Sequence, residues 1–141
     1  MRMTDLEYKI FGRALENLYG SILLGEEHAL TYTEHLICLN RALRDTAHSR
    51  WPLASEVDLL RRACAVCWPE RTLEICQEEG VPMLCQVGRE ALFFPVCRLL
   101  FEAAEQGGFP TCLALEEKGG TVEYRLLMGT EVWRRGTVGR G

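Results

Sequence analysis

The chain is poor in histidine, has one isolated thiol motif and contains no long apolar run. Its three histidines, His28, His35 and His48, all precede Arg50, so histidine chemistry has no candidate beyond that point. The single Cys-x-x-Cys, Cys64 to Cys67, has no second copy to complete a four-thiol zinc site. No apolar stretch approaches the roughly 20 residues of a membrane helix, and no signal peptide precedes the first helical pattern. These absences lead us to expect a cytoplasmic protein without membrane contact. There is no low-complexity tract to mark a disordered linker, and the net charge of −4 argues against a nucleic-acid footprint.

What is present, 141 residues with 48% apolar content, is enough for one domain with a real core or for a small domain plus a helical appendage. Seven cysteines, an odd number, sit among apolar neighbours such as those of Cys38 and Cys97. Most are expected to be reduced core residues, since free cysteine packs as a small hydrophobe. Both sulfurs of the Cys64–Cys67 motif share a helical stripe with Val57 and Leu60, which favours packing over redox or metal chemistry.

Thr4 and Glu7 have capping-box spacing and open a first helix. Leu6, Ile10, Ala14, Leu18 and Ile22 form its stripe, widened by Phe11, Leu15 and Tyr19, and Gly25 ends it. Glu26-Glu27 opens a second helix with Ala29, Tyr32, Leu36, Leu39 and Leu43 on one face. The short break between the two predicts an antiparallel hairpin. Pro52 closes that segment, and a third helix runs from about Ala54 to Cys67.

The period then changes. Arg71 to Cys76 alternates, with Leu73 and Ile75 inward, and Met83 to Val87 is a second short strand. A helix over Glu90–Gly107 follows, with Leu92, Val96, Leu99 and Ala103 on one stripe, Phe93 and Leu100 on its shoulder, and Pro95 in its first turn. Thr111–Glu117 and Thr121–Met128 form a hairpin around Gly119-Gly120. The basic tail from Trp133 to Gly141 is expected to be mobile. Its glycines lead into no helix and so make no phosphate loop, although Arg134, Arg135 and Arg140 could meet an acidic partner. The expected fold class is α+β: an N-terminal antiparallel helical hairpin over 1–50, then a small α/β sandwich over 51–141.

This order resembles that of sensor histidine kinases, a dimerisation hairpin followed by the ATP-binding domain shared with gyrase. Arg13-Ala14-Leu15-Glu16-Asn17-Leu18-Tyr19-Gly20-Ser21-Ile22 falls on the acceptor pattern His-Phe-Leu-Phe-Asn-x-Leu-Asn-Ser-Ile. Residues 36–44 resemble the second hairpin helix, 52–57 the linker helix and 70–75 the first strand. Leu99 to Gly107 falls on the N-box Leu-x-x-Asn-Ala-x-x-x-Gly. The resemblance implies a truncated ATPase domain after a dimerising hairpin, hence a homodimer in two-component-type bacterial signalling.

The departures from the family remove its chemistry. Arg13 stands at the phosphoacceptor histidine, and a guanidinium stays protonated and cannot attack phosphorus. The magnesium-binding asparagine falls on Glu102 or, shifted by one residue, on Ala103. No asparagine follows Asn40 and no aspartate follows Asp58, so neither the N-box nor the adenine-binding Asp-x-Gly-x-Gly can be built. We therefore expect no catalytic residue, no cofactor and no metal. The expected function is that of an inactive histidine-kinase-like regulatory or scaffold protein, with a kinase or response regulator as partner. One alternative is a sporulation-type phosphotransferase with His35, or else His28, as phosphoacceptor; His48 lies one residue short of the kinase box His-x-x-x-x-Pro-Leu. Another is a small-molecule module using the vestigial nucleotide cleft.

Overall fold

The computed structural model describes residues 4–25 and 27–139. Its first helix, α1 (Asp5–Leu24), starts as the local chemistry dictates. The Thr4 hydroxyl accepts from the Glu7 amide at 3.2 Å while the Glu7 carboxylate accepts from the Thr4 amide at 3.2 Å, a reciprocal cap. Gly25 ends the helix in the left-handed region, with φ at 69°. The second helix, α2 (Ala29–Leu43), has His28 at its N-cap position rather than an acidic opening, so Glu27 lies in the turn and Glu26 outside the described residues. Phe11 and Leu15 of α1 share a groove with Leu36 and Asn40 of α2, the order of an antiparallel pair.

The expected α1 stripe is in fact two faces. Leu6, Ile10 and Ala14 are buried, but Leu15, Tyr19 and Ile22 are more than half exposed. Steps of four residues overshoot each turn by about 40°, so Ile22 lies about 160° around the helix from Leu6. Ser21 takes the buried position instead.

A short strand β1 (Trp51–Pro52) leads into the third helix, α3 (Leu53–Cys67), with Pro52 at the N-cap position. This helix is the hub of the fold. Leu53, Glu56, Val57, Leu59, Leu60, Ala63, Val66 and Cys67 are all buried, which exceeds one face, and the helix packs against α1, α2 and β1. The next strands are β2 (Glu74–Gln77) and β3 (Gln86–Val87). Of the strand expected over 83–87 only the last two residues pair, and their partner is β1, in the register Trp51↔Val87. The amides of Leu53 and Ala54 extend that link by donating to the Cys85 and Met83 carbonyls at 2.8 Å each.

The fourth helix, α4 (Phe93–Glu105), also packs against α3 and carries Pro95 in its first turn, where a missing amide proton costs nothing. Its buried residues are Phe93, Val96, Cys97, Leu100 and Ala103, while Leu99 is half-buried. The last three strands are β4 (Cys112–Lys118), β5 (Thr121–Met128) and β6 (Glu131–Val138). The sheet runs β2-β4-β5-β6, with β2 parallel to β4 and the other pairs antiparallel. Gly119 and Gly120, with φ of 57° and 81°, turn β4 into β5 with the hand that suits twisted strands. Leu113, Leu115, Val122, Tyr124, Leu126 and Val138 alternate onto the buried face. They join one cluster that also holds Leu92 and Leu100 by α4, Leu60 of α3, and Ile10 and Leu39 of the hairpin. The protein is therefore α+β, with four helices and two sheets among the described residues.

Two expectations need correcting. The basic tail is not loose through Val138: it forms β6 against β5, with a bulge opposite Leu126/Leu127; Arg140 and Gly141 lie outside the described residues. The cysteine expectation needs narrowing: all seven are free, Cys67 and Cys97 are buried in the core, Cys64 and Cys85 pack against it partly buried, and Cys76 is exposed.

Gly136 explains why a glycine sits inside a strand. A Cβ there would meet the Tyr124 ring at 2.5 Å, so the tyrosine lies across bare backbone. Gly136→Ala is expected to cost about 1–3 kcal/mol through overpacking, read as a lower urea midpoint. Gly139→Ala, where a Cβ meets nothing within 4 Å, serves as the control.

Candidate functional site

Arg13 and Asn17 lie one turn apart on α1 and point at the end of α3. The last carbonyls of a helix have no partner within it. Here the Trp68 amide takes the Cys64 carbonyl at 3.0 Å, and α1 supplies donors to the last two. Arg13 Nε donates to the Cys67 carbonyl at 2.5 Å, and Asn17 Nδ2 donates to the Val66 and Cys67 carbonyls at 2.8 and 3.0 Å. A permanent cation is also the favourable charge at the negative end of a helix dipole, worth about 0.3–1 kcal/mol near the surface. The Arg13–Glu70 pair at 3.4 Å adds little, since Glu70 is 56% exposed. Arg13 is thus a capping side chain between two helices.

Glu102 sits on α4, half-buried, with its carboxylate 3.5 Å from Arg134 of β6. Ala103, the alternative asparagine position, is buried. One register therefore gives an ion-paired carboxylate and the other a packed methyl. The same side of α4 meets α1: Lys9 lies 3.8 Å from Glu105 and 5.9 Å above the Phe101 ring. The groove beside Glu102 holds about 280 Å³. A second groove of about 500 Å³, between α1, α4 and Trp68, carries Lys9, Arg13, Glu16 and Glu105. Among the described residues no three histidine, cysteine, aspartate or glutamate side chains cluster as metal ligands.

The three histidines are not brought together. His35 of α2 is half-buried, and its Nδ1 lies 3.2 Å from the Arg62 guanidinium, which donates in turn to Asp58 at 3.0 Å. Burial first, and Arg62 second, push the His35 pKa down. The neutral ring then spends its Nδ1 lone pair on Arg62, so Nε2 carries the proton, the reverse of a free nucleophile at that nitrogen. His28 is exposed at the start of α2 and not in register with His35 as two positions of one helix body. His48 follows α2 and pairs with Asp45 at 2.9 Å. The thiols of Cys64 and Cys67 are pushed up to about 12 by burial, which leaves them unreactive.

A buried ion pair goes unmarked in the sequence reading. Glu56 of α3 is fully buried and pairs with Arg89, which is 10% exposed. Arg89 also donates to the Ala42 carbonyl of α2 at 3.0 Å and stacks 3.5 Å above the Trp51 ring. Four segments meet there: the end of α2, β1, α3 and the loop before α4. The sequence signal is a carboxylate between Leu53 and Val57 on the apolar side of the helix, where a buried charge demands a partner. Nothing local identifies Arg89, 33 residues away, as that partner.

Comparison with models of known protein families gives no match, and comparison with curated proteins gives none. The site is therefore read from its own geometry.

Burial outweighs the Arg89 attraction and pushes the Glu56 pKa from 4.5 up to about 7. A raised folded-state pKa means that Glu56 contributes its full stability below its ordinary pKa and loses it as pH climbs to about 7. Glu56→Gln, which fixes the neutral form, should gain on the parent by about 1–3 kcal/mol between about pH 5 and about pH 8. Urea midpoints of both proteins at the two pH values measure it; parallel pH profiles would refute it.

Proposed function

We propose that this protein is a non-catalytic regulator or scaffold of histidine-kinase-like architecture, acting as a homodimer through its helical hairpin. The observation that carries the reading is where its exposed apolar surface lies. Of nine exposed large hydrophobics among the described residues, seven are on the hairpin: Tyr8, Leu15, Tyr19, Ile22, Leu23, Leu30 and Ile37. At 100° per residue, Tyr8, Leu15, Tyr19 and Ile22 fall within about 60° of arc on α1. On α2, Ile37 lines the groove of about 360 Å³ that it shares with Phe11, Leu15 and Leu36, and Leu30 is exposed near the start of the same helix. A monomer rarely leaves such a stripe to water.

The area agrees with that use. Each of these side chains exposes on the order of 100 Å², so the hairpin's seven together offer ~700 Å², against the ~800 Å² per partner of a standard interface. Two hairpins meeting on this face would form a four-helix bundle. Arg13 and Asn17, engaged with α3, would remain outside the bundle seam. The inactive reading is supported by the chemistry at Arg13, Glu102 and Ala103 described above. In this reading a kinase or response regulator is the protein partner, met through the hairpin rim, and no nucleic acid is involved. No helix among the described residues is long and apolar enough to cross a membrane.

Sedimentation equilibrium at micromolar concentration tests the dimer. The parent should have twice the chain mass, and Tyr19→Glu with Ile37→Glu should sediment as a monomer. Both replaced side chains are exposed, so the urea midpoint extrapolated to low protein concentration should move by less than about 0.5 kcal/mol. A monomeric parent would defeat the reading.

A further inference from the structure

We propose that Cys76 and Cys112 form a reversible thiol pair that a hydroperoxide converts into a disulfide between β2 and β4. The two sulfurs lie 3.8 Å apart, with the Cys112 thiol donating towards the Cys76 sulfur. The register explains the contact. Cys76 pairs with Ala114 and Cys112 with Glu74 on the parallel strands, so the thiols are diagonal neighbours on one face. That face is opposite the one on which Leu113 and Leu115 are buried. Cys76 is exposed and Cys112 half-buried, so an oxidant in solution reaches the first and finds the second waiting beside it.

Three of the five remaining thiols contrast with this pair. Cys64, Cys67 and Cys97 are disfavoured as thiolates by burial. Cys112 is itself held high, at about 11, by burial and then by its contact with Cys76. This divides the roles: Cys76 is the attacking thiol and Cys112 keeps its proton until the second step. Closing the gap from 3.8 Å to an S–S bond of about 2.05 Å requires side-chain rotation and a small strand shift. β2 can supply that shift, being a four-residue edge strand with β4 as its one neighbour in the sheet.

The chemistry balances with one hydroperoxide per pair. Cys76 sulfur attacks the terminal peroxide oxygen, the O–O bond breaks, and the alkoxide leaves with the Cys76 proton as an alcohol. Cys112 sulfur then attacks the sulfenic sulfur of Cys76, the S–O bond breaks, and hydroxide leaves with the Cys112 proton as water. Two thiols are oxidised and one peroxide is reduced. Thiol exchange with dithiothreitol reverses it.

The test treats the full chain with hydrogen peroxide and maps the cysteines by mass spectrometry. The expected product is a single 76–112 cross-linked peptide that dithiothreitol dissolves. Cys112→Ser should lose the cross-link and accumulate sulfenic acid on Cys76, trapped by dimedone, and Cys76→Ser should lose both products. Cys38→Ser and Cys85→Ser should keep the cross-link. A second probe needs no oxidant: phenylarsine oxide, which bridges neighbouring thiols with loss of water, should bind the reduced parent and lose that binding in either single variant. Circular dichroism establishes that each variant is folded. Peroxide that takes Cys76 to sulfinic acid without a bridge, or bridges other cysteines instead, overturns the proposal, as does arsenical binding that survives both single variants.

Discussion

The capping of α3 by α1 is the contact on which the arrangement of the rest depends. A helix that ends in the middle of a protein leaves carbonyls that water cannot reach freely. Arg13 and Asn17 satisfy those of Val66 and Cys67, and in doing so fix where the hairpin meets the remainder of the chain. The Cys67 thiol returns the contact by donating to the Ile10 carbonyl at 3.4 Å. With α1 held there, its Leu6–Ala14 face is committed to the core and its Leu15–Ile22 face is turned outward. The exposed apolar surface is thus a consequence of the cap.

The Glu56–Arg89 pair works at the other end of α3 and is of a different kind. Its desolvation penalty outweighs its attraction, so it is poor evidence of stability. Its value is positional. Removing either partner leaves a buried group unpaired, whereas keeping both holds α2, β1, α3 and the loop before α4 at one point. Between the cap and the ion pair, α3 is tied at both ends to elements distant in sequence. This explains how a helix with a carboxylate inside its apolar surface can be the centre of the fold.

Much of the fold was legible because local chemistry decides it. Thr4 with Glu7 sets the start of α1, Gly25 its end, and Gly119-Gly120 the β4–β5 turn. Strict alternation from Leu113 to Leu115 and from Val122 to Leu126 identifies both strands and their buried faces. The misreadings have equally definite causes. Treating residues four apart as one face ignores the drift of a real helix, which hid the division between Ile10 and Tyr19. β6 reads as a tail because arginines and glycine occupy positions that its neighbours make tolerable: Arg134 meets Glu102, and Gly136 makes room for Tyr124. The site was legible only in part. Arg13 is visible in the sequence as a permanent cation that cannot act as a nucleophile, but its role as a cap needs the carbonyls of α3, more than 50 residues on. Arg89 and the Cys76–Cys112 contact are likewise products of long-range pairing.

In physical terms, the side chains of Arg13, Glu102 and His35 are committed to packing and charge pairing, while the hairpin leaves apolar side chains exposed. Arg13 caps a helix, Glu102 pairs with Arg134, and His35 is occupied by Arg62. The most direct test of this account is to incubate the protein with magnesium–ATP, and separately with a phosphorylated receiver domain, and to measure acid-labile phosphate on the chain. The account predicts none on any histidine in either reaction. Phosphate on His35 or His28, abolished by the corresponding His→Ala replacement, would contradict it.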